Sequence, residues 1–320
     1  MSTEASTRAI VAAMFANLGI AVAKFAGFLV TRSSSLLAES VHSVADTSNQ
    51  VLLLFGGRRS RRPATRLHQF GHGRERFFWA FVVAIILFSL GALFAIYEGI
   101  EKVLHPHPID SAPWAIGILA VSIVLETNSF RTAVRESRPL KGEGTWWGFI
   151  RRSRNPELPV VLLEDIGALI GLVLALIAIV VAVVTGNGVF DGVGSIVIGA
   201  LLGVIAAVLA IEMKSLLIGE SATPEAEARI AAAVSGSPRV VTLISLRTQH
   251  LGPEEVLVAA KVQFDADLTM AGLADVIDGV EARVRAAEPT ATRILIEPDV
   301  VRSDHPPVDG PWAGLAGTGD

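Results

Sequence analysis

Residues 159–185 read PVVLLEDIGALIGLVLALIAIVVAVVT, and after Asp165 no charged residue occurs through Thr185. A helix rises about 1.5 Å per residue, so this run covers roughly the 30 Å of a bilayer's hydrocarbon core. It reads as a membrane-crossing helix that carries Glu164 and Asp165 inside its apolar part, where ionisable side chains are costly and default to a functional role. Similar stretches at about 8–30, 34–56, 76–101, 113–132 and 189–213 bring the expected number of spans to six. The whole chain agrees: 51% of its residues are hydrophobic, 18% are charged, and mean hydropathy is +0.54, too apolar for an ordinary soluble protein.

An even number of spans puts both termini on one side. Arg58, Arg59, Arg61, Arg62, Arg66, Arg74 and Arg76 crowd the connection after the second span, and Arg131, Arg135, Arg138, Lys141, Arg151, Arg152 and Arg154 that after the fourth. The other connections hold little beyond Arg32 and Lys102. The excess of arginine predicts cytoplasmic basic loops and cytoplasmic termini. The first apolar segment carries Lys24 and is too long for a signal core, so it is expected to be retained. With no evident transit peptide, a bacterial plasma membrane is the expected location. Trp146 and Trp147 beside the second basic cluster suit a stretch lying at the lipid interface.

From about residue 218 the apolar runs shorten. A helix over 224–235, strands over 240–248 and 256–264, a helix over 270–287 and a strand over 293–296 predict a small α-β-β-α-β domain. The expected organisation is a transport domain over 1–217, a cytoplasmic dimerisation or regulatory domain over 218–301 and a disordered tail over 302–320. The net charge of -4 gives no reason to expect a nucleic-acid partner. No nucleotide loop, nucleophile motif or organic-cofactor fingerprint supports an enzyme. The chain has no cysteine, so any bound metal must use nitrogen and oxygen ligands.

His42 and Asp46 lie four apart on the second span, on one helix face. Counting rises along the spans, Asp46 lies about 12 Å from the cytoplasmic side, Asp165 about 10 Å from it, and Glu126 about 20 Å below the outer surface. The groups are nearly level. Glu164 is turned about 100° from Asp165, so the two cannot both point squarely at one centre. Two carboxylates and an imidazole, completed by another carboxylate or water, suit a borderline divalent cation such as zinc; additional carboxylate favours manganese or ferrous iron. Metal and protons compete for such groups, which is the chemistry of an antiporter. Gly167, Ala168 and Gly171 would let the fifth span pack closely on a neighbour. Asn17, Asn49 and Gln50 are expected to hydrogen-bond between helices. The alternative to a transport role is a membrane sensor or assembly protein whose polar core only holds helices together.

The stretch SSSLLAESVHSVADTSNQ at 33–50, FGHGRE at 70–75, YEGI at 97–100, HPHP at 105–108 and LLED at 162–165 together resemble the cation diffusion facilitator family. Within it they look most like the branch that includes the mitochondrial zinc transporter. The resemblance implies a ferredoxin-like cytoplasmic domain, a homodimer, and a divalent cation exporter working by alternating access, with zinc and protons as the exchanged species. It implies a transport site of His42, Asp46 and Asp165. The family's fourth ligand falls at Val161, which cannot ligate, leaving Glu164, Glu126 or water. A second site would use the loop residues His68 and His72, but the acid that accompanies them falls at Thr65. His105 and His107 are read as loop features. In the last domain the corresponding strands carry Ile244, Lys261 and Ile296 or Glu297, and His250 is the only histidine there before the tail, so the metal-binding set is not retained.

Overall fold

The computed structural model describes residues 3–107 and 112–301. Pro108 and the tail expected to be disordered lie outside the described residues. The chain divides into two compact units, one of residues 1–59 and 75–214, the other of 60–74 and 215–320. The arginine-rich segment between the second and third spans therefore clusters with the C-terminal part of the chain.

The first unit is built of long helices: α1 (Thr3–Thr31), α2 (Ser34–Ser60), α3 (Glu75–Ile86) continuing through a π-helical segment (Leu87–Leu93) into α4 (Phe94–Leu104), α5 (Ala112–Lys141), α6 (Trp146–Arg152), α7 (Glu157–Thr185) and α8 (Val189–Ile218). Among the described residues four helical stretches are long and apolar enough to cross a membrane: Glu75–Leu104, Ala112–Arg135, Glu157–Thr185 and Val189–Ile218. The first two expected spans are helices as well. Among the described residues α1 contributes the apolar stretch Asn17–Thr31, and α2 interleaves Glu39, His42, Asp46 and Asn49 with its apolar residues.

Helix α7 ends where Gly186 adopts a left-handed conformation, φ 66°, which glycine enters without penalty. Helix α5 packs along both α7 and α1. Where α4 meets α8 the backbones touch. A Cβ on Gly99 would stand 2.6 Å from the Gly192 carbonyl oxygen, and one on Gly192 would stand 2.8 Å from that of Gly99. Small residues permit this approach, which in lipid replaces hydrophobic burial as the source of helix association. The short α6 is capped by Thr145, whose hydroxyl accepts from Gly148 N, and Lys141 lies 5.4 Å from the Trp146 ring centroid.

The second unit has the expected α-β-β-α-β order: α9 (Pro224–Ser235), β1 (Val240–Gly252), β2 (Glu255–Phe264), α10 (Met270–Ala287) and β3 (Arg293–Pro298). Strand β2 is central, antiparallel to β1 and parallel to β3. Along β2, Val256, Val258, Ala260, Val262 and Phe264 alternate into the core, as the two-residue period of a one-sided sheet requires. They meet Ile230 and Val234 of α9 and Val280 and Val284 of α10. Thr223 and Thr269 cap the two helices through their hydroxyls, a contact worth about 1 kcal/mol each. The segment 60–74 approaches this domain so closely that a Cβ on Gly73 would lie 2.6 Å from the Leu251 carbonyl oxygen.

Replacing Gly99 by Val forces α4 from α8 and is expected to cost about 1–3 kcal/mol, read as a lowered unfolding temperature in detergent. Gly117→Ala, where a Cβ meets nothing within 4 Å, should leave that temperature unchanged or raise it.

Candidate metal centre

The polar residues of α2 fall three or four apart, so Glu39, His42, Ser43, Asp46 and Asn49 share one face. All five are buried, whereas Val44, Val51 and Phe55 on the other side are exposed. This helix is inside out relative to one in water, as a helix in a bilayer must be when its polar groups need partners.

His42 Nε2 lies 3.6 Å from Asp46 Oδ2. Neither ring nitrogen of His42 has a hydrogen-bond partner, nor has Asp46 Oδ1, although all three atoms are buried. Buried polar atoms left unpaired cost about 1–3 kcal/mol each. Two of these atom types, an imidazole nitrogen and a carboxylate oxygen, are the usual ligands of a divalent cation in a site without thiolates.

The neighbouring acids of α7 divide. Glu164 is buried and turns to α2, its Oε1 accepting from Asn49 Nδ2 at 2.6 Å. Asp165 is half-buried and turns to α5, its Oδ2 accepting from Ser129 Oγ at 3.3 Å. Glu126, also on α5, is buried. Asn49 thus acts as the expected interhelical hydrogen bonder. Among the described residues no group of three or more His, Asp or Glu side chains is gathered closely enough to hold a metal ion. The helical residues singled out from sequence, His42, Asp46, Glu126, Glu164 and Asp165, therefore lie on three helices of one unit, with His42 and Asp46 3.6 Å apart and the carboxylates spread, as like charges in a poor dielectric should be.

Gly171 does more than admit a helix. A Cβ there would fall 2.6 Å from Glu39 Oε1, while one on Gly167 would fall 2.6 Å from Ile205 of α8. Glu39 itself was not among the candidates drawn from sequence. It accepts from Lys24 Nζ at 3.2 Å, and the same ammonium donates to Ser43 Oγ at 2.8 Å. A further polar contact joins Ser33 Oγ to Asp191 at 3.0 and 3.2 Å. The signal for Glu39 was present: it lies three residues before His42 and seven before Asp46, on the same face.

The loop histidines belong to the second unit. The rings of His68 and His72 are 4.7 Å apart between centroids, and His72 Nδ1 is buried without a partner. Thr65, at the position where an acid would complete such a set, accepts from the His68 amide at 3.1 Å and so closes a local turn. His105 contacts Glu101 at 2.9 Å beside a 420 Å³ cavity lined also by Phe28, Arg32, Glu98, Lys102 and His107, apart from the α2 constellation. In the sheet domain His250 is buried with its Nδ1 3.1 Å from the Gly252 carbonyl oxygen. Lys261 pairs with Glu297 at 3.1 Å and Asp299 at 3.4 Å.

The cation efflux transmembrane domain family matches residues 10–218. Over 244 residues the chain is 34% identical to the mitochondrial proton-coupled zinc antiporter SLC30A9 of Mus musculus, an alignment covering 76% of this chain and 43% of that protein. It is 30% identical over 269 residues to metal tolerance protein C4 of Arabidopsis thaliana, covering 83% and 58%. It is 24% identical over 279 residues to the cation-efflux pump FieF of Shewanella oneidensis, covering 87% and 88%. The chain spans less than half the length of the SLC30A9 relative. The family match covers all eight helices of the first unit, including the inverted α2 with its paired histidine and aspartate, and this multi-pass membrane protein belongs to the cation efflux family.

Proposed function

We propose that the protein exports a divalent metal cation, zinc foremost, in exchange for protons. The observation that carries this reading is the buried pair His42 and Asp46, whose two ring nitrogens and Oδ1 make no hydrogen bond while three further carboxylates stand on the adjoining helices. A cation drawn between α2 and α7 would satisfy these atoms and offset the charge of the acids. The transport site then comprises His42, Asp46 and Asp165, with Glu164 as the fourth ligand because it already faces α2; Asp165, which rests against Ser129 of α5, joins them only as the helices shift to close on the ion. Val161 has no atom to offer. Glu126 serves as a nearby proton acceptor.

Protonation and metal loading exclude one another at such a centre, since ligating carboxylates and imidazole must be deprotonated. Alternating exposure of the site to the two sides of the membrane turns that competition into exchange. The relatives' printed descriptions, a proton-coupled zinc antiporter and a cation-efflux pump, support the same reading. Manganese or ferrous iron is the second reading, favoured by the specific observation that carboxylates outnumber imidazoles around the pair. We place the protein in a plasma membrane as a homodimer, with its termini and sheet domain cytoplasmic. His68 and His72 bind metal weakly at most, and metal sensing by the sheet domain, with Lys261 already paired to two acids, is weak or absent.

Purified protein in proteoliposomes should move zinc at a rate set by an imposed pH gradient; transport indifferent to the gradient would remove the antiport. Asp46→Ala and Asp165→Ala are each expected to reduce zinc flux at least tenfold, the equivalent of about 1.4 kcal/mol. Glu164→Gln should raise the zinc KM more than tenfold and Glu126→Gln less than threefold. The opposite order would move the fourth ligand to α5. Manganese and ferrous iron, tested as competitors of zinc flux, should inhibit only in large excess; equal potency would favour the second reading.

A further inference from the structure

Lys24 is fully buried, one of the largest side chains in the unit with no exposed surface. Its ammonium is held by Glu39 at 3.2 Å and by Ser43 at 2.8 Å. A buried charge is tolerated only when paired, and here the pairing is incomplete: the second carboxylate oxygen, Glu39 Oε1, is buried without a hydrogen-bond partner, facing Gly171 of α7. The hydroxyl that steadies the ammonium belongs to Ser43, next in sequence to His42. Glu39 and Asp46 are seven residues apart on α2, about two turns, but the ammonium already stands at Ser43, three residues before Asp46, whose Oδ1 is likewise unpartnered. One helical turn is about 5.4 Å, within the sweep of a lysine's flexible four-carbon stem.

We propose that Lys24 is a tethered competitor of the transported cation, parked on Glu39 beside the site and able to swing along α2 onto Asp46 when no divalent ion is there. Glu39 is then a latch. It keeps a fixed positive charge out of the centre while the carrier is loaded, and the ammonium takes over the charge of Asp46 after the ion leaves. Both are positioning residues: neither touches the cargo, and each acts through Asp46. Lysine suits the task because its compact ammonium occupies a cation site as a point charge, which a planar guanidinium cannot do. The inference rests on the transport reading above.

The test is zinc binding to the full-length, detergent-purified protein by titration calorimetry, with Asp46→Ala as reference. Glu39→Gln releases the ammonium onto Asp46 and should weaken zinc binding at least tenfold. Adding Lys24→Met to that variant removes the competitor and should restore affinity to within threefold of the parent. Lys24→Met alone should bind zinc at least threefold more tightly. An ion pair that only supports the fold predicts the reverse, because Lys24→Met would strand Glu39 and weaken binding. Unchanged affinity in Glu39→Gln, or unchanged or weaker affinity in Lys24→Met, overturns the proposal. Should Glu39→Gln not fold, the Lys24→Met result decides; should neither single variant fold, the charge-balanced double variant must bind within threefold of the parent, and any greater loss overturns the proposal. Parent protein that binds no zinc, or Asp46→Ala that binds it normally, overturns the transport site and this inference together. Normal parent and lost Asp46→Ala binding with an indifferent Glu39→Gln overturns the inference alone.

Discussion

Every placement in the first unit answers to the cost of removing ionisable groups from water. Helix α2 brings an acid, an imidazole, a second acid and an amide onto one buried face, and no bilayer would accept that face without partners. Neighbours therefore contribute groups to it, α1 its Lys24 to Glu39 and α7 its Glu164 to Asn49, while just before the helix Ser33 donates to Asp191 of α8. Val44, Val51 and Phe55 of α2 are left for the outside. The helix is held where it is by these contacts and by the small residues that let its neighbours approach, with Gly171 yielding its side-chain volume to Glu39.

The pair Glu164 and Asp165 shows how a helix can distribute function between adjacent residues. A step of about 100° sends one carboxylate to α2 and the next to α5, where Ser129 meets it. Two acids next to each other in sequence thus belong to two different helix interfaces. Relative sliding of α2, α5 and α7 would change how far apart these carboxylates stand, and with it their joint affinity for a cation.

Much of this could be read from the chain. The length of the apolar run at 159–185 foretold α7, and the alternating pattern of 256–264 foretold β2, because helix and strand periods are printed in residue order. His42 and Asp46 were legible for the same reason, their spacing of four being a local geometric fact. Counting rises along the helices leads one to expect Asp165 and Glu126 near their level. What resisted was rotation about the helix axis. Nothing local says that Glu164 rather than Asp165 would turn to α2, since that depends on how α5 and α7 pack. Lys24 could be suspected of pairing with a buried acid, but not with which one. Glu39 went unnoticed because a lone glutamate near a helix end resembles many solvated ones. The first two spans were recognised as helices although the polar face of α2 dilutes its apolar signal. The placement of 60–74 with the sheet domain had no sequence signal at all, as it rests on the close approach of Gly73 to Leu251.

That last contact bears on how the protein could have been assembled from parts. The second unit is encoded in two separate stretches, one lying between α2 and α3 and the other after α8, so it is not a cassette appended to the end of a gene. A chimaera that exchanged only residues after 214 would bring a foreign surface against a native strap at the point where a glycine admits no side chain. Recombination that keeps both units intact has to carry the two stretches together, which makes the short arginine-rich strap between two helices an inherited companion of a domain more than a hundred residues away.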